Sequence, residues 1–215
     1  MACSRPRASR REFLKAAAGL SALVAGKSTT AGASTADAAQ APPLRPTPSC
    51  PGAAPPTERQ TEGPYFKPDS PVRASLVEPG MTGTKIVVTG MVLSTSCQPI
   101  ARALIDVWHA DDRGGYDNAG YRLRGHQFTD DQGRYRLETI VPGIYVGRTR
   151  HFHVKVQAPN RPVLTTQLYF PGDAANARDP IFSRELVMQV KDAADGKAAT
   201  FDFVLDLGAG RAGRG

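Results

Sequence analysis

Short segments rich in β-branched and aromatic residues, each bounded by turn residues, recur between residues 85 and 205. Such segments are typical of β-strands, and their number predicts an all-β domain. The 21 Gly and 18 Pro suit turns between short strands better than long helices. The predicted strands are 85–93, 103–109, 134–139, 151–157, 163–170, 185–191 and 200–205.

The intervals between these strands carry clear turn signals, such as Pro142-Gly143 and the run Asp-Asp-Gln-Gly at 130–133. Seven short strands joined in this way predict an antiparallel β-sandwich or a related barrel. No long helical period follows the first 41 residues, and one short helical turn is predicted around 174–182. A fold of this class does not by itself fix a function.

Residues 1–41 predict an export signal rather than part of the domain. Residues 9–15 read SRREFLK, a twin-arginine pattern, and the apolar run 16–25 is too short to span a bilayer stably. This segment holds six basic and two acidic residues, so most of the +7 net charge belongs to it and not to a nucleic-acid-binding surface. We expect export by the twin-arginine pathway to the periplasm or beyond, without a stable membrane anchor.

The remaining chain divides by composition. Residues 42–57 are Pro-rich and predict an extended arm, 58–206 the folded domain, and 207–215 a flexible Gly/Arg-rich tail. Cys3 belongs to the leader, whereas Cys50 and Cys97 would mature in an oxidising compartment. Such a compartment favours a disulfide between these two cysteines, with two separate thiols as the alternative.

Two histidines, His151 and His153, alternate within the predicted strand HFHVKVQ. Alternate side chains share one face of a strand, so both imidazoles point the same way while Phe152, Val154 and Val156 face the core. Two imidazoles on one face can bind a metal ion. A polar face that happens to carry two histidines is the alternative.

Further motifs lie on both sides of this strand, at 61–66 (TEGPYF), 108–117 (WHADDRGGYD), 142–145 (PGIY) and 165–170 (TTQLYF). In this order and spacing, together with the run GRTRHFHVKV, they resemble the intradiol ring-cleavage dioxygenases, and most of all their small exported branch. The resemblance covers about residues 58–206.

The resemblance implies a transthyretin-like antiparallel β-sandwich with short helical turns, and a non-haem iron(III) held by two tyrosinates and two histidines. Carried over by position, Tyr116, Tyr145, His151 and His153 would be these ligands. A small trivalent cation favours hard phenolate oxygen, and its charge promotes loss of the tyrosine proton. Tyr116 as a plain surface tyrosine and Tyr145 as a strand-edge aromatic are the alternatives.

The resemblance also implies roles around the metal. Tyr145 would leave the metal, Tyr145 or a hydroxide would accept the substrate protons, and Arg148 would stabilise negative charge on the bound substrate. Tyr65 and Gln167 match pocket-lining positions, and Arg150 is the rival of Arg148. Of the remaining histidines, His109 is interpreted as structural beside Trp108 and His126 as a loop residue.

The implied activity is the insertion of O2 between the two hydroxylated carbons of a catechol-type aromatic, giving a muconate-type diacid. The alternative is a secreted, non-catalytic β-sandwich module that binds aromatic or glycan ligands. A decayed site would be expected to lose at least one of its two tyrosines, two histidines and arginine, and all five are present. His151 follows Tyr145 by only six positions, closer than in better-known members, so the resemblance fixes neither the particular catechol nor the oligomeric state.

Overall fold

A computed structural model describes residues 54–208, which form two β-sheets packed face to face. One sheet contains β1 (Lys85–Ser94), β4 (Arg134–Ile140), β7 (Gln189–Ala193), β8 (Gly196–Thr200) and β9 (Phe203–Leu205). The other contains β2 (Leu104–Trp108), β3 (Arg124–Phe128), β5 (His151–Gln157) and β6 (Leu164–Tyr169). The predicted all-β sandwich is confirmed.

The four-stranded sheet has the order β3-β2-β5-β6 and is antiparallel throughout. In the other sheet β1 pairs antiparallel with β4, and parallel with β8 over its first half and β9 over its second. The change of partner falls at Gly90, where an added Cβ would lie 1.7 Å from the Phe201 carbonyl oxygen. Only glycine lets the crossing backbone approach so closely.

The core lies between the sheets and follows strand alternation. Phe152, Val154 and Val156 of β5 face it, as the sequence predicts, and meet residues such as Val88 and Leu137 from the other sheet. Each such side chain contributes about 1.5–3 kcal/mol when fully buried. The opposite face of β5 is therefore left for His151, His153 and Lys155.

Three parts of the sequence prediction were wrong. The strands β3 and β8 were missed, because RGHQF and GKAAT contain almost no β-branched residues. The segment 185–191 was predicted as one strand, but Arg184–Leu186 is a 3-10 helix and β7 begins only at Gln189. His126, predicted in a loop, lies on β3 opposite Asp106.

Helical structure in residues 54–208 consists of two 3-10 helices, η1 (Ala174–Ala177) and η2 (Arg184–Leu186). The first confirms the helical turn predicted around 174–182. Asp173 caps η1, because its carboxylate accepts a hydrogen bond from the Ala175 N–H at 2.9 Å. None of the helices in this range is long and apolar enough to span a bilayer.

Residues 57–76, here called the crossing segment, run over the outer face of the four-stranded sheet. The segment contacts β6, then β5, then β2 and finally β3. These contacts are the Gln60 N–H to Thr165 O bond (2.9 Å), the Glu62–Lys155 ion pair, the Phe66–Trp108 ring pair (5.0 Å) and the Arg73 N–H to His126 O bond (2.8 Å). One stretch of chain thus covers the face that carries the two histidines.

Cys97 is disulfide-bonded. The other cysteines, Cys3 and Cys50, lie outside the described residues, so the pairing of Cys97 with Cys50 stays a prediction. The leader 1–41, most of the arm and the tail from residue 209 also lie outside them. At the described end of the arm, the Ala54 N–H donates to the Thr95 carbonyl (2.9 Å), which lies two residues from Cys97.

Candidate metal centre

The predicted site residues gather at one end of the four-stranded sheet. Trp108 is the last residue of β2 and lies directly opposite His153 near the start of β5. Because the two strands are antiparallel, the loop that leaves β2 and the loop that enters β5 meet at this end. Those loops carry Tyr116 and Tyr145.

The loops that carry Tyr116 and Tyr145 touch through two glycines. An added Cβ at Gly143 would lie 2.4 Å from the Gly114 nitrogen, and one at Gly114 would lie 2.2 Å from the Ile144 carbonyl oxygen. Gly114 also has a φ of +89°, which side-chain-bearing residues rarely adopt. The glycines therefore fix the distance between the two tyrosine-bearing loops.

Three of the four predicted ligands bring their donor atoms together. The His151 Nε2 lies 3.2 Å from the His153 Nε2 and 3.4 Å from the Tyr116 hydroxyl. Ligands bound at about 2.0–2.1 Å and at right angles to one another are about 3 Å apart, so these spacings suit a shared ion. Within residues 54–208 no three His, Cys, Asp or Glu side chains form a metal site, so a centre here requires tyrosine.

Hydrogen bonding sets the protonation of His151. Its Nδ1 lies 2.7 Å from the Thr149 carbonyl, which can only accept, so the proton is on Nδ1. Its Nε2 is then left with a lone pair that points at His153 and Tyr116. This lone pair can accept a hydrogen bond from the Tyr116 hydroxyl or the His153 Nε2, and it is also the group with which a neutral imidazole binds a metal ion.

Burial also shifts the pKa values of these three side chains. His151 and His153 are only 4% and 3% exposed. Burial lowers the pKa of His151 to about 4 and that of His153 well below its ordinary value, so both imidazoles are neutral at pH 7. Burial raises the pKa of Tyr116, so a nearby cation is needed to ionise that phenol.

Packing, and not a hydrogen bond to the backbone, orients His153. The Trp108 indole stacks on its imidazole at 4.9 Å with an angle of 4° between the planes. Gly63 lies at the ring edge, where an added Cβ would be 3.1 Å from the His153 Cε1. Within residues 54–208, the His153 Nδ1 is buried and has no hydrogen-bond partner.

The fourth predicted ligand, Tyr145, joins a cluster of three tyrosines. Its hydroxyl is hydrogen-bonded to the Tyr65 hydroxyl at 2.6 Å, and this bond raises the pKa of Tyr65. The Tyr65 ring stacks on Tyr116 at 4.4 Å, and the Tyr145 ring stands edge-on to both of the others. Tyr145 thus adjoins the donor cluster through Tyr116, while its hydroxyl contacts Tyr65.

Arg148 and Gln167 form one network. The Arg148 Nη2 donates to the Gln167 Oε1 at 2.7 Å, and the Gln167 Nε2 donates to the Thr61 carbonyl at 3.0 Å. The rival arginine, Arg150, instead pairs with Asp173 at 2.7 Å. The structure therefore places Arg148, and not Arg150, against a residue predicted to line the pocket.

Sequence reasoning missed Asp179, which accepts a hydrogen bond from the Arg148 Nε at 2.8 Å. Its local sequence, ARDP, signals only a turn. His109 is structural as predicted, because its ring nitrogens contact the Ala110 carbonyl and the Thr139 hydroxyl, both at 2.7 Å. A surface cavity of about 560 Å³ beside residues 94–101 lies at the far end of β2 and includes none of the site residues.

Comparison with known proteins gives one matching family model. It is described as Dioxygenase and covers residues 61–207. A solved dioxygenase domain of a dioxygenase–carbohydrate-binding protein fusion from Streptomyces sp. SirexAA-E is 55% identical, with a TM-score of 0.70 over 72% of this chain and 100% of that one. The 3-chlorocatechol 1,2-dioxygenase of Rhodococcus opacus 1CP is 26% identical, with a TM-score of 0.65 over 70% of this chain and 73% of that one.

Two curated relatives are similar over part of their length. The protocatechuate 3,4-dioxygenase beta chain of Burkholderia cepacia is 37% identical over 46% of this chain and 50% of its own. The hydroxyquinol 1,2-dioxygenase of Nocardioides simplex is 32% identical over 59% of this chain and 51% of its own. The chain thus spans about half the length of these relatives.

Proposed function

The chain belongs to the intradiol ring-cleavage dioxygenase family, whose model matches residues 61–207, and on that basis we propose that it is an iron(III)-dependent dioxygenase of catechol-type aromatics. The proposed reaction consumes one catechol and one O2 and gives a muconate-type diacid. Both oxygen atoms enter the product, and the bond between the two hydroxylated carbons breaks.

One observation carries the proposal: the convergence of Tyr116, His151 and His153 on a single point. The His151 Nε2 lies 3.2 Å from the His153 Nε2 and 3.4 Å from the Tyr116 hydroxyl, and its lone pair faces both because the ring proton is on Nδ1. These three side chains, with Tyr145, would hold the ferric ion. When bound, the ion would supply the Lewis acidity and redox chemistry for cleavage of a bound catecholate by O2.

The protein itself would manage protons and charge. A catechol that binds as a catecholate must lose two protons, and the proposed acceptors are Tyr145 for one and a hydroxide, which becomes water, for the other. The 2.6 Å contact with Tyr65 gives the Tyr145 hydroxyl a hydrogen-bond partner within the protein, which would stay available whether or not Tyr145 held the ion. The proposed role of Tyr65 is therefore to hold Tyr145 as well as to line the pocket.

Arg148 would stabilise negative charge on the substrate. Its Nε is held by Asp179 and its Nη2 by Gln167, so the position of the guanidinium is fixed before the substrate arrives. Charge-stabilising groups fixed in advance are effective because they need no reorganisation during the reaction. Gln167 thus contacts Arg148 as well as lining the proposed pocket.

The substrate class is proposed only as far as a catechol-type ring. Ile144 and Val146, on either side of Tyr145, are 49% and 88% exposed. The chain on both sides of Tyr145 is therefore open to solvent.

Export is part of the proposal. The leader 1–41, the oxidised state of Cys97 and the likeness to a dioxygenase domain of a fusion protein from a cellulolytic bacterium support a role outside the cytoplasm. The proposed location is the periplasm or the extracellular space. The proposed ligands are small catechols and O2, and no nucleic-acid partner is proposed.

Oxygen uptake by iron-loaded protein tests the proposal. A panel of catechol, protocatechuate, hydroxyquinol and caffeate should include at least one substrate, and its product should be cleaved between the two hydroxyls. The loaded protein should be red-brown, because tyrosinate-to-iron(III) charge transfer absorbs visible light. Colourless, inactive protein after iron loading would favour the secreted binding module, and a product cleaved outside the hydroxyls would contradict the intradiol assignment.

A further inference from the structure

Asp179 is a buried carboxylate in the segment between η1 and η2. Its side chain is 0% exposed, whereas the acidic partners in the other ion pairs of residues 54–208 are 7–89% exposed. A carboxylate is costly to bury unless several donors compensate it. Turn formation alone does not explain why this carboxylate is buried in an otherwise exposed connection.

Three donors compensate this carboxylate. The Oδ2 atom accepts from the Arg148 Nε at 2.8 Å and from the Thr149 N–H at 2.9 Å, and the Oδ1 atom accepts from the Ile181 N–H at 3.1 Å. Burial alone would raise the pKa of Asp179, but the backbone donors and the guanidinium outweigh it and lower that pKa. The carboxylate is therefore ionised at neutral pH, which keeps it as an acceptor only.

The first contact leads to the charge-binding group. Arg148 is held at two points, with Asp179 at its Nε and Gln167 at its Nη2. Two fixed nitrogens of a planar guanidinium define both its position and the tilt of its plane. Without Asp179, the Arg148 guanidinium would keep two side-chain hydrogen bonds, both from its Nη2. One goes to Gln167 and the other, at 3.5 Å, to Tyr169.

The second contact leads to a candidate metal ligand. The Thr149 N–H donates to Asp179, and the Thr149 carbonyl accepts the Nδ1 proton of His151 at 2.7 Å. Thr149 is 0% exposed, and its hydroxyl donates to the Asn176 Oδ1 at 2.6 Å. The backbone that fixes the His151 tautomer is therefore itself anchored on Asn176 and Asp179.

We propose that Asp179 is a positioning residue that aligns two parts of the site at once, Arg148 directly and His151 through Thr149. The part that concerns Arg148 rests on the proposed dioxygenase function, while the part that concerns His151 depends only on the hydrogen-bond geometry. One carboxylate would thus hold the charge-stabilising group in register with a metal ligand.

The matched pair of variants is Asp179→Asn and Asp173→Asn, each made in the full chain. Asn at 179 can still accept from Arg148 and Thr149, but its NH2 group would then face the Ile181 N–H and the charge is lost. Asp173 is the next most buried acidic partner of these ion pairs, with a side chain 7% exposed, and it pairs with Arg150 and caps η1. The control therefore removes an equivalent ion pair from the same segment without touching Arg148 or Thr149.

The first measurement uses metal-free protein. Long-range 1H–15N NMR should show His151 as the Nδ1–H tautomer in the wild type and in Asp173→Asn, and a mixture of tautomers in Asp179→Asn. The second uses iron-loaded protein with a catechol that the wild type cleaves. There, Asp179→Asn should lower kcat/KM about 10–100-fold, as loss of a residue that supports a metal ligand typically does. It should also shift the ferric charge-transfer band. Asp173→Asn should stay close to the wild type in both measurements.

Failure of the proposed role of Asp179 and failure of the proposed dioxygenase function give different experimental results. Folded Asp179→Asn with an unchanged tautomer and an unchanged kcat/KM, or with changes equal to those of Asp173→Asn, would overturn the proposal. If Asp179→Asn does not fold, Asp179→Glu takes its place, and failure of both to fold would assign Asp179 to stability and also overturn it. A wild type that cleaves no catechol would refute the proposed function, but the tautomer comparison would still decide the role of Asp179 toward His151.

Discussion

His151 and His153 are two positions apart on one strand, yet different forces orient them. A hydrogen bond to the Thr149 carbonyl holds His151, whereas the Trp108 indole and the edge of Gly63 hold His153. A hydrogen bond fixes a tautomer as well as a direction, while packing fixes the direction alone. The two rings should therefore respond to different substitutions.

Gly63→Ala should displace His153. The new Cβ would lie 3.1 Å from the His153 Cε1, so the imidazole must move, and iron(III) affinity should fall about tenfold, as loss of ligand orientation typically causes. Equilibrium dialysis of iron with a competing chelator measures this. Gly80→Ala is the control, because Gly80 has a similar φ of +77° but nothing within 4 Å of its Cβ position. Equal affinity losses in both variants would show that backbone strain is responsible.

The buried histidines also predict an acid-sensitive fold. Burial lowers the pKa of His109 to about 4, below its value near 6.5 in an unfolded chain. Between these values the unfolded state binds more protons, so the free energy of unfolding should fall as pH drops from 6.5 toward 4. The contribution of one such group across the window is roughly 3 kcal/mol. This stability is fully present above pH 6.5.

Denaturant unfolding of metal-free protein at pH 7 and pH 5 measures this effect. His109→Gln should reduce the difference between the two unfolding free energies, because one proton-binding group of the unfolded state has been removed. The hydrogen bonds to Ala110 and Thr139 make the variant less stable at pH 7 as well, so the slope with pH is the readout. An unchanged slope would contradict the role of His109.

Sequence patterns could predict those functional residues whose side-chain type itself indicates a role in the site. The alternation of His151 and His153 was visible, and it correctly placed both on one face of β5. Asp179 and Thr149 could not be found in this way, because the Asp179 carboxylate acts on Arg148 and on the Thr149 N–H, and Thr149 acts on His151 through its carbonyl. Those partners exist only after the segment 173–179 has packed against the loop before β5.

At the scale of elements, the site depends on the contact between two loops. The loop after β2 and the loop before β5 approach through Gly114 and Gly143, backbone against backbone. Their separation decides how far Tyr116 lies from Tyr145. The contact is thus a spacer between the two proposed tyrosine ligands.

Gly143→Ala should break this spacing. An added Cβ would lie 2.4 Å from the Gly114 nitrogen, and backbone atoms can yield only if one loop moves. We expect weaker iron binding and an altered tyrosinate charge-transfer band, measured by titration with absorbance detection. Gly147→Ala in the same loop is the control, because Gly147 has a φ of +75° but open space around its Cβ position. A normal band in Gly143→Ala would show that the loops are not held by this contact.

Strand prediction succeeded where burial selects β-branched residues and failed where pairing alone makes the strand. KIVVTGMVLS and HFHVKVQ form β1 and β5 and bury alternate apolar side chains. In contrast, GKAAT becomes β8 because β1 and β7 flank it and supply its hydrogen-bond partners. Its sequence is equally compatible with a loop, so only the tertiary fold decides.

At the scale of the whole molecule, the described end of the arm meets the sandwich two residues from Cys97. Cys97 is disulfide-bonded, and the described end of the arm is hydrogen-bonded to Thr95. We expect Cys50 to be its partner. Thiol titration of the denatured, unreduced protein should find no free thiol from this pair, and Cys50→Ser should release one. Two free thiols in the wild type would contradict the pairing.

Loss of this disulfide should lower stability without altering the site. A bridge that closes a long loop typically contributes about 2–4 kcal/mol, largely by restricting the unfolded chain. The bridge lies at the β1–β2 connection, whereas the candidate metal centre lies at the opposite end of β2. Cys50→Ser should therefore unfold at lower denaturant concentration with unchanged iron affinity.

The crossing segment sets the order in which the site can be built during synthesis. Gly63 and Tyr65 leave the ribosome about ninety residues before His153, yet they lie against it and its neighbours in the folded domain. Contacts between residues so distant along the chain form late, because the intervening chain must first be closed into a loop. A nascent chain therefore cannot assemble the proposed set of donors until His153 has been translated and this loop has closed, so we expect the proposed iron binding to follow the synthesis of β5.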